Sequence, residues 1–185
     1  MLRTISLITL ILALSAVAFG QKPKPKPTKT PPVKPTAAAS TKCDANGLTP
    51  AEITELLAAH NKARSDHKLP PLVWDCGLAN YAQEWANKGN FEHRADTHYG
   101  ENMFVASSGA EPMATVTKTW MTEQSNWTNK TGTCAPGKVC THYTQMVWNR
   151  TTQVGCGVLR NGPGKWKVLL VCNYDPAGNT GGPAY

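Results

Sequence analysis

All six cysteines of this 185-residue chain fall between Cys43 and Cys172, and nothing after residue 20 and before Cys43 offers a hydrophobic core. An even set of cysteines behind a secretion-like leader reads as a disulfide framework, because the thiols would meet an oxidising compartment. The chain therefore divides into a stapled globular part, residues 43–185, and a leader of different character. The globular part has the usual size of one domain with one real core.

The leader divides again. Arg3 supplies a positive start, Ile5 to Phe19 an apolar run, and Ala16-Val17-Ala18 or Ala18-Phe19-Gly20 a small-residue cleavage site, so residues 1–20 are expected to be a signal peptide and the product extracellular. The run falls short of the roughly 20 apolar residues that a spanning helix needs, and no later segment qualifies. Residues 21–42 carry six prolines and six lysines, a flexible Lys/Pro-rich linker favouring polyproline II. The net charge of +7 belongs to this leader: from Cys43 onward twelve basic residues face twelve acidic ones. A nucleic-acid partner read from overall charge is thus excluded by location, whereas the linker suits an acidic polysaccharide or an anionic membrane surface.

In the globular part, Thr49-Pro50-Ala51-Glu52 is a capping box with Pro at the first helical position, and the helix it opens carries Ile53, Leu56, Leu57, His60 and Arg64 at helical spacing. A second helix is expected from about Gly77 to Lys88 and a third from about Pro112, through Met113, Val116, Thr117, Trp120 and Met121. Glu101 falls between them on a short strand. After Cys140 the pattern reads as period two, Tyr143, Gln145 and Val147 against His142, Thr144, Met146 and Trp148, which predicts a strand. Val154, Cys156 and Val158 continue it, and Lys165 to Tyr174 forms another strand after Asn161-Gly162-Pro163-Gly164. The expected fold is α+β, with helices covering an antiparallel sheet.

Six cysteines permit fifteen connectivities. Cys156 and Cys172 lie on strands joined by one turn, and Cys134 and Cys140 flank a short loop, which leaves Cys43 for Cys76.

Four separated segments, His60-Asn61-Lys62-Ala63-Arg64, Gly100-Glu101-Asn102-Met103, His142-Tyr143-Thr144-Gln145-Met146-Val147-Trp148 and Cys172-Asn173-Tyr174-Asp175-Pro176-Ala177-Gly178-Asn179, occur in one order. Together they resemble the signature of the CAP superfamily: cysteine-rich secretory proteins, antigen five and pathogenesis-related class one proteins. The resemblance covers roughly Leu48 to Tyr185 and is closest in style to the last group. It implies a secreted αβα sandwich, a central antiparallel sheet between helical layers, with a cleft lined by His and Glu. Because members do many different things, the fold does not settle the activity.

The cleft residues implied by the resemblance are His93, Glu101, Glu123 and His142, with His98 an alternative to His93. Two neutral imidazoles are nitrogen ligands for a divalent ion such as zinc, and glutamates orient the rings, so His93 and His142 are candidate ligands of an open, weak site. The competing reading is that His and Glu only hydrogen-bond each other. His60 is expected to be structural and His67 solvated. As an enzyme, the protein would use Glu101 or Glu123 to activate a metal-bound water as an extracellular hydrolase or protease. No His-Glu-x-x-His or Gly-x-Ser-x-Gly motif accompanies them, and a non-enzymatic binding module is favoured.

The resemblance also implies roles in defence, virulence or host interaction and lipid ligands, sterol or fatty acid. Phe104, Val105, Met113 and Val116 would line an apolar slot beside the third helix, and the Ala106–Glu111 loop, lacking an aromatic residue, argues against sterol. A third reading is a ligand-free recognition scaffold. Asn126, Asn129 and Asn149 head glycosylation sequons, and a monomer is expected.

Overall fold

The structure is a computed structural model that describes residue 43, residues 47–109 and residues 112–185. The expected signal peptide, the Lys/Pro-rich linker and the end of the 106–111 loop lie outside the described residues.

The first helix, α1 (Pro50–Ser65), begins as the capping box requires. Thr49 Oγ1 accepts from the Glu52 backbone N–H at 3.3 Å, and Glu52 Oε2 accepts from the Thr49 N–H at 2.8 Å. Its inward stripe buries Ile53, Leu56, His60, Ala63 and Arg64. Arg64 is the least expected of these. Its guanidinium donates to the carbonyls of Pro70, Met146, Trp148 and Thr151, so one buried cation ties the end of α1 and the chain just after it to a stretch more than eighty residues later. Burial lowers its pKa to about 10, which still leaves it charged at neutral pH.

The main sheet has the order β1-β5-β6-β2, with β1 Val73–Trp74, β2 Gly100–Ala106, β5 Gln153–Arg160 and β6 Val168–Asp175, while β3 Trp127–Thr128 and β4 Thr133–Cys134 pair in a separate ribbon. All neighbours are antiparallel except the two-residue edge strand β1, which runs parallel to β5. Alternation along the strands separates two cores. Val154, Cys156, Val158, Leu170, Cys172 and Tyr174 face a core shared with α1 and α3 (Met113–Met121), while Leu169 and Val171 join Ala82, Ala86 and Met103 under α2 (Cys76–Ala86). Helices thus cover both faces, and the arrangement is the expected αβα sandwich.

Helix α2 lies directly on the sheet because both surfaces are small. A Cβ at Gly155 would sit 2.3 Å from the Ala79 backbone nitrogen, and one at Gly157 would sit 2.4 Å from Gln83 Cα. Buried Gln83 completes the contact, accepting from Val158 N–H at 2.8 Å and donating to Val158 O at 3.0 Å. A polar side chain with both ends satisfied avoids the cost of orphaned groups.

The disulfides join Cys43 to Cys76, Cys134 to Cys140 and Cys156 to Cys172. Cys156 and Cys172 are direct partners in the β5–β6 register.

Three expectations are corrected. Residues 141–146 are not a strand but a short helix, α4 (Thr141–Met146); residues 143 to 148 are all buried, so no inside–outside alternation was present to be read. His67 is not solvated: its ring stacks on Tyr185 at 3.7 Å, and Nε2 lies 2.7 Å from the Tyr143 hydroxyl. The four residues assigned to one apolar slot do not share it, because Met113 and Val116 are fully buried in the larger core, with half-buried Phe104 packed against it, whereas Val105 turns to the α2 side.

Candidate functional site

Two His–carboxylate pairs form on adjoining elements. In the first, Glu123 comes from the 3₁₀ turn Thr122–Asn126 that follows α3, and its Oε1 lies 2.6 Å from His142 Nδ1. Its Oε2 accepts from the backbone N–H groups of His142 at 3.0 Å and Tyr143 at 3.1 Å. One carboxylate thereby fixes a ring and caps the start of α4. Burial alone would raise the Glu123 pKa, but the hydrogen bonds from the His142 ring and from the Tyr143 and His142 backbones outweigh it, and the carboxyl is held below its ordinary value. His142 also lies parallel to the Trp120 ring, with centroids 5.9 Å apart.

In the second pair, Glu101 of β2 accepts from the Arg94 backbone N–H at 3.2 Å and contacts His93 Nδ1 at 2.8 Å. The Glu101 side chain is 4% exposed, whereas that of His93 is 66% exposed, so a buried anion orients a ring that reaches into solvent. His98 instead packs against Tyr99, with ring centroids 4.0 Å apart.

The pairs are coupled through groups that sequence reading did not single out as site residues. Asn102, next to Glu101, donates to the His142 carbonyl at 3.0 Å and to the Tyr174 hydroxyl at 3.1 Å. That hydroxyl lies 2.8 Å from His60 Nε2, and His60 Nδ1 lies 2.7 Å from the Leu56 carbonyl. A carbonyl can only accept, so Nδ1 carries the His60 proton and Nε2 accepts from Tyr174. Burial, opposed by the Leu56 carbonyl and reinforced by Arg64, lowers the His60 pKa to about 4, and this ring stays neutral. Burial also pushes the Tyr174 hydroxyl up, which keeps it protonated.

Gly100 and Gly178 serve the same region. A Cβ at Gly100 would lie 2.1 Å from Gln145 Oε1, and one at Gly178 would lie 2.7 Å from Gln145 Nε2. Gln145, itself buried, accepts from the Gly178 N–H at 3.0 Å and so locks β2, α4 and the segment after Pro176 together. The four sequence segments therefore meet in one place, and the signal that joined them was their order, not any local periodicity.

The donor set suits a divalent ion. Each imidazole presents Nδ1 to a carboxylate, which fixes that nitrogen as the N–H donor and leaves Nε2 with its lone pair, the orientation usual for a metal-binding histidine. Asn173, the cross-strand partner of Glu101, is buried; its Nδ2 donates to the Gly100 carbonyl at 3.2 Å and its Oδ1 has no hydrogen-bond partner. Among the described residues no group of three or more His, Cys, Asp or Glu side chains is placed to hold a metal ion, so an ion at His93 and His142 would complete its shell with water or an outside ligand. For acid–base work the carboxylates are already engaged, both Glu123 oxygens on α4 and Glu101 on His93 and Arg94. Every cysteine is bridged.

Of the sequon asparagines, Asn149 is exposed. Asn129 instead accepts from the Ala184 N–H at 2.8 Å and donates its amide to the Tyr185 carbonyl, so its nitrogen is occupied.

Comparison with known proteins gives consistent matches. The profile of a family described as CAP, the cysteine-rich secretory protein family, matches residues 57–174. Pathogenesis-related protein 1A1 of Solanum lycopersicum is 42% identical over 134 residues, which cover 71% of this chain and 74% of the relative. A PR-1-type pathogenesis-related protein of Sambucus nigra is 39% identical over 128 residues, 67% of this chain and 75% of its own. Among solved structures, that of NaASP2 with Zn2+ superposes with a TM-score of 0.66 at 27% identity, covering 78% of this chain and 90% of the other.

Proposed function

The chain belongs to the CAP family of cysteine-rich secretory proteins, and from that premise we propose that it is an extracellular, non-enzymatic binding protein acting in defence or host interaction. Its site takes a divalent ion, zinc foremost, on the Nε2 atoms of His93 and His142. The observation that carries this reading is the pairing of each Nδ1 with a carboxylate, His93 with Glu101 and His142 with Glu123. Two glutamates supply negative charge and fix the rings, and His93 lies open enough for an ion or its outer ligand to enter. A bound ion would present an open coordination position to an anionic or carbonyl ligand.

Support for an extracellular setting comes from the signal-like residues 1–20 and from three disulfides, which persist in oxidising compartments. Met113 and Val116 are consumed in the core, so a lipid ligand, sterol or fatty acid, rests on the family resemblance rather than on these side chains.

Zinc titration calorimetry on the secreted protein tests the site. Saturable heat that disappears in His93→Ala and in His142→Ala is expected; heats unchanged in both variants would reject ligation by this pair.

A further inference from the structure

On the α2 side of the sandwich, a groove of about 300 Å³ opens between the end of α2 and the β5–β6 turn. Its walls include Asn87, Lys88, Asn90, Gly162, Lys165 and Trp166. Lys88 and Lys165 are its only charged lining residues, and both are basic. A neighbouring depression, which holds Glu84 and Asp96, shares only Lys88 with it.

The cations sit over aromatic faces: Lys88 Nζ is 4.4 Å from the Trp85 ring centre and Lys165 Nζ is 4.4 Å from that of Trp166. Such placement holds an ammonium at a fixed spot and leaves N–H donors facing outward. Phe91 meets Trp166 edge to face at 6.2 Å and is 49% exposed, one of the few large apolar side chains left open to solvent. The turn that builds the wall is tied down, with Lys167 Nζ donating to the Gly162 carbonyl at 3.0 Å and Lys167 N–H to the Ala106 carbonyl at 2.8 Å.

We propose that this groove binds a short stretch of an acidic polysaccharide, with uronate carboxylates paired to Lys88 and Lys165 and a pyranose C–H face laid on the Phe91–Trp166 aromatics. Three features favour a saccharide. The charge is of one sign, the aromatic surface stands beside it, and the Asn90 amide and the Asn87 amide nitrogen, whose Oδ1 already accepts from Gln83 Nε2 at 2.7 Å, offer hydrogen bonds to hydroxyl groups. A concave wall holding both cations matches a discrete polyanionic chain better than a flat bilayer surface. The site is independent of the metal reading, and it places within the folded domain a partner class that the Lys/Pro linker alone would attract only through diffuse charge.

The test is amide chemical-shift mapping on the isotopically labelled full chain with trigalacturonate, its uncharged methyl ester, and phosphatidylserine-containing vesicles. Shifts concentrated at residues 87–91 and 159–167, weak or absent with the ester, are expected. Lys88→Gln combined with Lys165→Gln should weaken the trisaccharide by about tenfold while leaving any linker binding intact, since charge-assisted contacts of this kind dominate recognition of carboxylates. Shifts confined to residues 21–42, equal binding of the ester, or an unaffected double variant would each overturn the proposal. So would a response to vesicles without one to trigalacturonate.

Discussion

Glu123 holds His142 at two points at once, the ring through Nδ1 at 2.6 Å and the main chain through the backbone N–H at 3.0 Å. Orientation of the candidate ligand and initiation of α4 are therefore one interaction. Glu123→Ala removes both, and we expect a loss of about 1–3 kcal/mol in denaturant unfolding from the orphaned N–H groups. Zinc affinity should fall by about 10–100-fold, as when an outer-shell partner of a metal-bound histidine is deleted. Glu123→Gln, which keeps an acceptor for the backbone but not the charge, should recover more stability than affinity. Calorimetry and unfolding on the same preparations separate the two.

Acid sensitivity should carry the mark of His60. Its folded pKa of about 4 lies below the ordinary 6.5, so between these values the unfolded chain takes up a proton that the folded one refuses. Stability present above pH 6.5 is then lost as pH falls towards 4, by up to about 3 kcal/mol from this group. Glu123, whose folded pKa is depressed, loses its contribution only at lower pH, beneath the ordinary carboxyl value of 4.5. His60→Gln should be less stable at pH 7 and show a flatter profile from pH 6.5 to 4. Equal slopes for the two proteins in urea titrations would contradict a buried neutral imidazole.

Contact between α2 and the sheet predicts a contrast between glycines. At Gly155 an added methyl meets the backbone of Asp75 and Ala79, which cannot rotate away, so Gly155→Ala should destabilise by about 1–3 kcal/mol or more through overpacking. At Gly164 a Cβ meets nothing within 4 Å, and Gly164→Ala should stay within about 0.5 kcal/mol of the parent. Thermal or denaturant midpoints measured side by side decide it.

The features that sequence exposed were those written in local chemistry. Thr49 and Glu52 announce the start of α1, and the alternation of Val154, Cys156 and Val158 announces β5 and the core those three face. Cys156 and Cys172 could be matched because one turn separates their strands. What escaped depends on partners distant along the chain. Helix α4 is capped by a carboxylate nineteen residues earlier, inside a stretch where burial on every side erases periodicity. His67 is drawn from solvent by Tyr143 and Tyr185, and Arg64, on the inward face its spacing pointed to, finds its acceptors in the carbonyls of Pro70, Met146, Trp148 and Thr151. At the site, the family signature brought out Glu101 and His142, but the hydrogen bonds through Asn102 and Tyr174 that couple them to His60 become legible only when the strands are paired.

The three bridges should differ in worth according to the loops they close. Cys134 and Cys140 are separated by 6 positions and Cys43 and Cys76 by 33. In the chain-entropy account the shorter loop constrains the unfolded chain by about 2.4 kcal/mol and the longer by about 3.8 kcal/mol. Replacing both cysteines of a pair by Ser should therefore cost more for Cys43–Cys76, although Trp127 and Trp148 line a small cavity beside Cys134 and Cys140 and gain some freedom when that bridge goes. The short bridge has a second consequence. Cys140 immediately precedes α4, so its loss loosens the approach to His142 and should lower zinc affinity, whereas loss of Cys43–Cys76 should leave affinity unchanged in the molecules that remain folded. Stability that falls more in one variant and affinity that falls more in the other, read by unfolding and calorimetry, is the expected pattern; parallel losses would show that the bridge and the ligand are not linked.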